Sequence, residues 1–296
     1  MKNMEKEQVV AIIKKNFPQL SVDSIEIAGE GMDSKAFEVN EELIFRFPKY
    51  GDVGEKLKVE ISLLPQLRSY FKLLIPNFEY IGEQTNGLPF VGYKKIQGVP
   101  LERELFDSLD QELQEKLIMQ IADFIKQIHS FPVEEAKKLG AKIVNFQENY
   151  TSDFAELKNK AWHLLDNTTQ IYIEELFKTY LSDKENFNYL TTLLHSDLSP
   201  EHIIYDQDEK SIVGIIDFGD MEIGDPDYDL MYLYREYSLE FVQKLLKYYP
   251  HKNQGQIISK LYFLSRCNTI HDILIAVDRK DDDKLKRALD KLKTRM

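Results

Sequence analysis

Cysteine is almost absent: Cys267 is the one thiol in a chain of 296 residues. No disulfide can close within the chain, so the fold must rest on burial and hydrogen bonding, and the composition points to a reducing cytoplasm. Long apolar runs are missing too. No stretch approaches the ~18 consecutive apolar residues that suggest a membrane span. The opening Met1-Lys2-Asn3-Met4-Glu5-Lys6 leads into mixed polar residues and offers no apolar core for a secretion signal. Basic charge is scarce: 38 Lys and Arg stand against 50 Asp and Glu, a formal net charge of −12. That balance argues against a broad nucleic-acid-binding face. It suits solubility, and it could also steer a cationic ligand. Internal repeats and low-complexity linkers are lacking as well.

What is present divides the chain in two. The length exceeds what one compact core usually serves and suits two lobes. Residues 5–17 carry Val9, Ile12, Ile13 and Phe17 at helical spacing. Short apolar runs at 25–27, 36–39 and 43–47 read as strands, broken at 30–34 and 40–42, with Pro48 stopping the third. A helix is expected over 55–70, then strands at 78–81 and 90–96. Beyond Gly98 the periodicity becomes helical, as in Leu113, Leu117, Ile121, Phe124, Ile125 and Ile128. A helix is expected over 155–180, two short strands at 203–205 and 212–216, and helix thereafter. The expectation is an α+β, protein-kinase-like two-lobe fold: residues 1–96 as a small β-rich nucleotide-binding lobe, and 97–296 as a larger helical lobe.

The chemistry concentrates in His195-Ser196-Asp197-Leu198-Ser199-Pro200-Glu201-His202, followed by Asp217-Phe218-Gly219-Asp220. Phosphoryl transfer needs a carboxylate to orient the attacking hydroxyl and take its proton, and ligands for magnesium on the phosphates. Asp197 suits the first task. Asp217, at the end of the apolar run Val213-Gly214-Ile215-Ile216, suits the second. His202 stands where protein kinases place an asparagine ligand; magnesium favours oxygen, although imidazole can serve. Either motif alone occurs by chance, but both in this order, each flanking a short strand, form a specific signal. His195 reads as a brace for the loop.

These two motifs, with Gly224-Asp225-Pro226-Asp227-Tyr228-Asp229, Ile25-Glu26-Ile27-Ala28-Gly29-Glu30-Gly31, Phe45-Arg46-Phe47-Pro48-Lys49 and Lys95-Ile96-Gln97-Gly98-Val99-Pro100-Leu101, resemble the aminoglycoside phosphotransferase family. Histidine at 202 is similar to its 2''-acting and macrolide branches, and the 2''-acting enzymes are the nearest in feel. The resemblance spans nearly the whole chain. It implies a small-molecule kinase conferring antibiotic resistance, using Mg2+ with ATP or GTP, and acting as a monomer. It makes Ser34, in the glycine turn, a phosphate contact. It makes Arg46 the cation on the third strand, where such kinases usually carry lysine, and Glu60 its helical partner; an exposed helix carboxylate is the alternative for Glu60. Arginine keeps the charge and can clamp phosphate through two donors. Lys49 is a fallback cation. Lys94 and Ile96 fall at the lobe hinge and Ile216 beside the nucleotide. Asp229 is implied as an anchor of the catalytic loop.

Between 217 and 240 stand eight acids, Asp217, Asp220, Glu222, Asp225, Asp227, Asp229, Glu236 and Glu240, against one base, Arg235. Asp225 before Pro226 reads as a helix cap. Asp220, Glu236 and Glu240 remain to bind the ammonium groups of an aminoglycoside through charge-assisted hydrogen bonds. Glu236 and Glu240, at i, i+4 on one expected helix, would face one cleft; a solvated helix face is the alternative. A macrolide kinase would need a greasier pocket, and a non-catalytic pseudokinase would fit the departure at Arg46 but not the intact Asp197 and Asp217. A protein kinase is disfavoured, since no Ala-Pro-Glu segment or long activation loop follows Asp217.

Overall fold

The computed structural model describes residues 5–31, 33–251 and 254–294. The chain forms two compact units. One comprises the residues up to Leu117, Glu134–Ala141 and Pro200–Met221; the other comprises Ile118–Val133, Lys142–Ser199 and the residues from Glu222 on.

In the first unit, alternation of apolar and polar residues builds an antiparallel sheet of β1 (Ile25–Glu30), β2 (Ser34–Val39), β3 (Leu43–Pro48), β4 (Phe78–Glu83) and β5 (Pro89–Lys94), in the order β1-β2-β3-β5-β4. Phe37, Val39, Phe45 and Phe47 point to one face, where α1 (Lys6–Asn16) lays down Val9, Ile12 and Ile13. Each such side chain contributes about 1.5–3 kcal/mol by leaving water. Phe45 fits because its neighbour across the ladder is Gly92: a Cβ there would lie 2.4 Å from the ring. Gly92→Ala is therefore expected to lower the unfolding free energy by about 1–3 kcal/mol through overpacking. A denaturant midpoint identical to the parent's, at equal slope, would contradict this packing account. The other face of β2 and β3 carries Ser34, Ala36, Glu38, Ile44 and Arg46. Helix α2 (Gly51–Leu67) buries Val53, Leu57, Leu63, Leu64 and Leu67, and Glu60 lies on that same buried stripe. A second sheet joins β6 (Val99–Pro100), β8 (Ile203–Asp206) and β9 (Ser211–Ile215) in the order β6-β8-β9.

In the second unit, β7 (Thr192–Leu194) and β10 (Glu222–Gly224) pair antiparallel. Before them in sequence come two short helices that lie in or almost wholly in the first unit, α3 (Arg103–Ser108) and α5 (Val133–Lys138), and between these the 19-residue α4 (Gln111–His129), which enters the second unit at Ile118. The helix expected over 155–180 is two helices, α6 (Phe146–Lys160) and α7 (Asn167–Ser182). Asp166 starts the second by accepting from Thr169 N at 2.8 Å, a capping bond that makes the break favourable. The chain continues as α8 (Asp229–Glu236), α9 (Leu239–Leu245), α10 (Gln254–Arg279) and α11 (Asp282–Thr294). Phe154 stacks on Phe177 at 4.6 Å, and Phe263 of α10 meets Tyr150, Phe177 and Tyr180. Short strands β6, β7 and β10 carry too little alternation to be read from sequence. No helix among the described residues is long and apolar enough to cross a membrane.

Candidate active site

In the first unit the site is built by register. Arg46 sits between Phe45 and Phe47, so the two rings take the core face and the guanidinium takes the opposite one. There it pairs with Glu60 through one terminal nitrogen and with Asp217 Oδ1 through the other, at 2.8 Å. Glu60 is 3% exposed, so the surface alternative for it is discarded. Burial pushes the Glu60 carboxyl up to about 7, against the pull of Arg46. Arg46 itself is disfavoured by burial, but the charges of Glu60 and Asp217 outweigh that and raise its pKa.

Pairing of β8 with β9 sets Ile203 opposite Ile215, and Ile216 N donates to His202 O at 3.0 Å. The residues flanking that pair therefore meet: His202 Nε2 lies 3.6 Å from Asp217 Oδ2. Asp217 takes a left-handed φ of 60°, which turns its carboxylate out of the strand line. Among the described residues no group of three or more His, Cys, Asp or Glu is placed so that it could hold a metal ion. A carboxylate and one imidazole suit magnesium that shares its remaining positions with phosphates and water, as it does in nucleotide sites. Asp220 is held by Lys56 Nζ at 2.6 Å.

The glycine turn is pinned by lysines. Lys49 Nζ donates to Glu30 Oε1 (2.9 Å) and Gly31 O (2.7 Å), and Lys35 Nζ lies 3.2 Å from Glu30 Oε2. These contacts hold the Glu30 carboxyl below its ordinary range. Lys49 braces the turn rather than joining Arg46, and Gly31 N donates to Ser34 O at 3.1 Å. Met32 of that turn lies outside the described residues. Lys94 is exposed at the end of β5, and Ile96 packs on Gly214, where a Cβ would sit 2.9 Å from Ile96 Cγ2.

In the second unit, the loop at 195–199 hangs on Asp229. Its Oδ2 accepts from His195 N (3.1 Å) and its Oδ1 from Ser196 N (2.7 Å), while His129 Nε2 lies 3.0 Å from Oδ2. Burial works against this carboxylate, but His129, His195 and the Ser196 amide overcome it and keep the pKa low. Ser196 has a φ of 67°, and Asp197 N donates to His195 Nδ1 at 3.3 Å. His195 is fully buried, as expected of a brace, and Asp197 is half-buried. The role of His129 escaped sequence reading, because it ends an amphipathic helix 100 residues from its partner.

The acidic stretch departs from expectation. Glu236 and Glu240 are not on one helix: α8 ends at Glu236, Tyr237 leaves helical geometry, and Ser238 caps α9 by accepting from Phe241 N at 3.1 Å. Nor is either carboxylate uncompensated. Arg235 pairs with Glu236 and also meets Asn268, and Lys244 holds Glu240 at 2.9 Å. Asp225 caps the turn Pro226–Tyr228 as expected.

Residues 24–263 match the model of the phosphotransferase enzyme family. The chain belongs to that family. Family membership makes it a phosphotransferase, and its solved neighbours are enzymes of the same kind. The GDP and kanamycin complex of APH(2")-IIIa is 31% identical, with a TM-score of 0.94 over 98% of each chain. The streptomycin and ATP complex of APH(2")-IIa is 25% identical, with a TM-score of 0.77 over 99% of this chain and 97% of that one. A type I macrolide 2'-phosphotransferase, 16% identical with a TM-score of 0.79 over 99% and 98% of the two chains, shares the fold.

Proposed function

We propose that this phosphotransferase moves the γ-phosphate of ATP or GTP to a hydroxyl of an aminoglycoside, the 2''-hydroxyl, and so confers resistance to the antibiotic. The observation that carries the reading is the 31% identity, over 98% of the chain, to an enzyme solved with GDP and kanamycin. The Arg46–Glu60–Asp217 ion-paired group supports the kinase chemistry from the residues themselves. Asp197 takes the proton of the attacking hydroxyl and directs its lone pair. Arg46, with Glu60 fixing it, and Ser34 meet the phosphates; Lys94, Ile96 and Ile216 line the nucleoside end. Asp217 and His202 would hold magnesium, which neutralises phosphate charge when bound. The division of labour assigns residues 1–96 to the nucleotide and 97–296 to catalysis and acceptor, with Ile216, His202 and Asp217 of the latter also serving the nucleotide and its metal. The enzyme works as a cytoplasmic monomer without nucleic acid or membrane partners. A nucleotide-consumption assay over aminoglycosides and macrolides tests the reading: phosphorylation of kanamycin-like compounds with the phosphate placed by NMR supports it, and turnover confined to macrolides overturns it.

Asp220, Glu236 and Glu240 are the proposed ammonium ligands, and each already has a resident cation in Lys56, Arg235 and Lys244. Substrate ammonium must exchange with these. Glu236 is the more enclosed, at 33% side-chain exposure against 74% for Glu240. Glu236→Ala is therefore expected to raise the acceptor KM about tenfold or more, the worth of a charged hydrogen bond of ~1.5–3 kcal/mol. Glu240→Ala should change it less, because exposed pairs contribute only ~0–1 kcal/mol. In both cases kcat should move less than KM. Wild-type KM for Glu236→Ala would refute this part of the acceptor assignment.

A further inference from the structure

Beside the loop anchor lies a second charged group, made of residues that take no part in the roles above. Lys260, on α10, is 7% exposed, and its Nζ stands 2.6 Å from Asp225 Oδ2 and 2.6 Å from Asp227 Oδ2. His251 Nε2 lies 2.8 Å from Asp227 Oδ1, and the Tyr189 ring centroid lies 5.1 Å from the ammonium. Both carboxylates are nearly sealed from water, at 3% and 6% exposure. The backbone between them is a single tight turn: Asp225 Oδ1 accepts from Asp227 N at 3.1 Å, and Asp225 O accepts from Tyr228 N at 3.0 Å. The next residue is Asp229, whose two oxygens hold the amides of His195 and Ser196.

We propose that Lys260 is a positioning residue for phosphoryl transfer: its ammonium clamps the 225–228 turn, the turn fixes Asp229, and Asp229 fixes the backbone that presents Asp197. The argument is one of stiffness. Two buried carboxylates two residues apart repel one another unless a cation stands between them. Burial pushes the Asp225 carboxyl up to about 6 against the pull of Lys260, and it is this ammonium that touches both acids at 2.6 Å, whereas His251 reaches Asp227. Remove the cation and the turn relaxes by proton uptake or by separation of the two acids. Asp229 is bonded to the loop through hydrogen bonds of 2.7 and 3.1 Å, so it transmits that movement to Ser196 and Asp197. Catalytic groups displaced by an ångström lose about a hundredfold in rate.

The test compares Lys260→Met, which keeps length and loses charge, with Lys260→Arg, which keeps charge. Both are assayed well below their unfolding midpoints, using whichever acceptor the wild-type enzyme turns over. Lys260→Met should lower kcat about tenfold to a hundredfold, with MgGTP or MgATP affinity by calorimetry changed less than about twofold, and Lys260→Arg should recover much of the loss. A folded Lys260→Met enzyme with wild-type kcat overturns the proposal and leaves Lys260 a stability element, whatever its melting temperature. If that variant does not fold, Lys260→Gln, which can still donate to one carboxylate but carries no charge, takes its place with the same expected loss and the same criterion for overturning the proposal. Because any phosphorylated acceptor serves, failure here does not bear on the aminoglycoside reading.

Discussion

Replacing Asp197 with asparagine is expected to lower kcat by about 10²–10⁴-fold, the usual worth of general base catalysis, while nucleotide affinity stays close to that of the parent. The substitution is nearly isosteric, and backbone hydrogen bonds on either side of Asp197 hold the loop. Its backbone is held by Asp229 through the amides of residues 195 and 196, and by the Asp197 amide donating to His195 Nδ1. Ser199 N donating to Asp197 O at 2.9 Å closes the turn from the other side. What asparagine removes is the ability to accept a proton from the acceptor hydroxyl. Melting temperature should therefore move little. Single-turnover rates at saturating nucleotide and acceptor read the effect directly, and a variant that keeps more than about a tenth of wild-type turnover would end the assignment of Asp197 as the base.

The sheet face that carries Arg46 was legible because its signal is local: aromatics on either side of a charged residue in a strand can only alternate one way. Glu60 was legible as the helical partner of Arg46, with a surface carboxylate as the alternative. Its burial depends on the apolar stripe Val53, Leu57, Leu64 and Leu67 being turned inward, and that decided between ion-pair partner and surface carboxylate. The meeting of His202 with Asp217 was implied by two motifs flanking two short strands, and the antiparallel register Ile203↔Ile215 is what realises it.

The acidic stretch misled because charge counting ignores where a helix stops. Glu236 and Glu240 have i, i+4 spacing in sequence, but Ser238 between them is a strong capping residue, and its bond to Phe241 N restarts the helix. The spacing rule holds only within one uninterrupted helix. The cations that answer these acids fall into two kinds. Arg235 and Lys244 are near in sequence to Glu236 and Glu240, so their pairing could have been anticipated. Lys260 lies 33 residues from Asp227 and His129 lies 100 from Asp229, distances at which one sequence offers no signal.

Asp217→Ala is expected to abolish the gain in nucleotide affinity that magnesium gives the wild-type enzyme. Asp217 is a joint between two groups: Oδ1 is bonded to Arg46 at 2.8 Å and Oδ2 lies 3.6 Å from His202 Nε2. Removing it should leave the fold intact, because Arg46 keeps its pair with Glu60 and no buried charge is orphaned. Alanine at a φ of 60° carries some backbone strain. Asparagine tolerates that conformation and can still accept from Arg46, so Asp217→Asn separates strain from lost charge. Both variants should bind nucleotide without magnesium at least as well as wild type, since one negative charge near the phosphates is gone. With magnesium, wild-type affinity should rise and that of the variants should not, because imidazole alone is a poor ligand for a hard cation. Calorimetric titration of ATP or GTP at zero and millimolar magnesium gives the six affinities needed. Equal magnesium dependence in wild type and Asp217→Asn would move the metal away from Asp217, and with it the reason for His202 and Asp217 to lie within reach of one another.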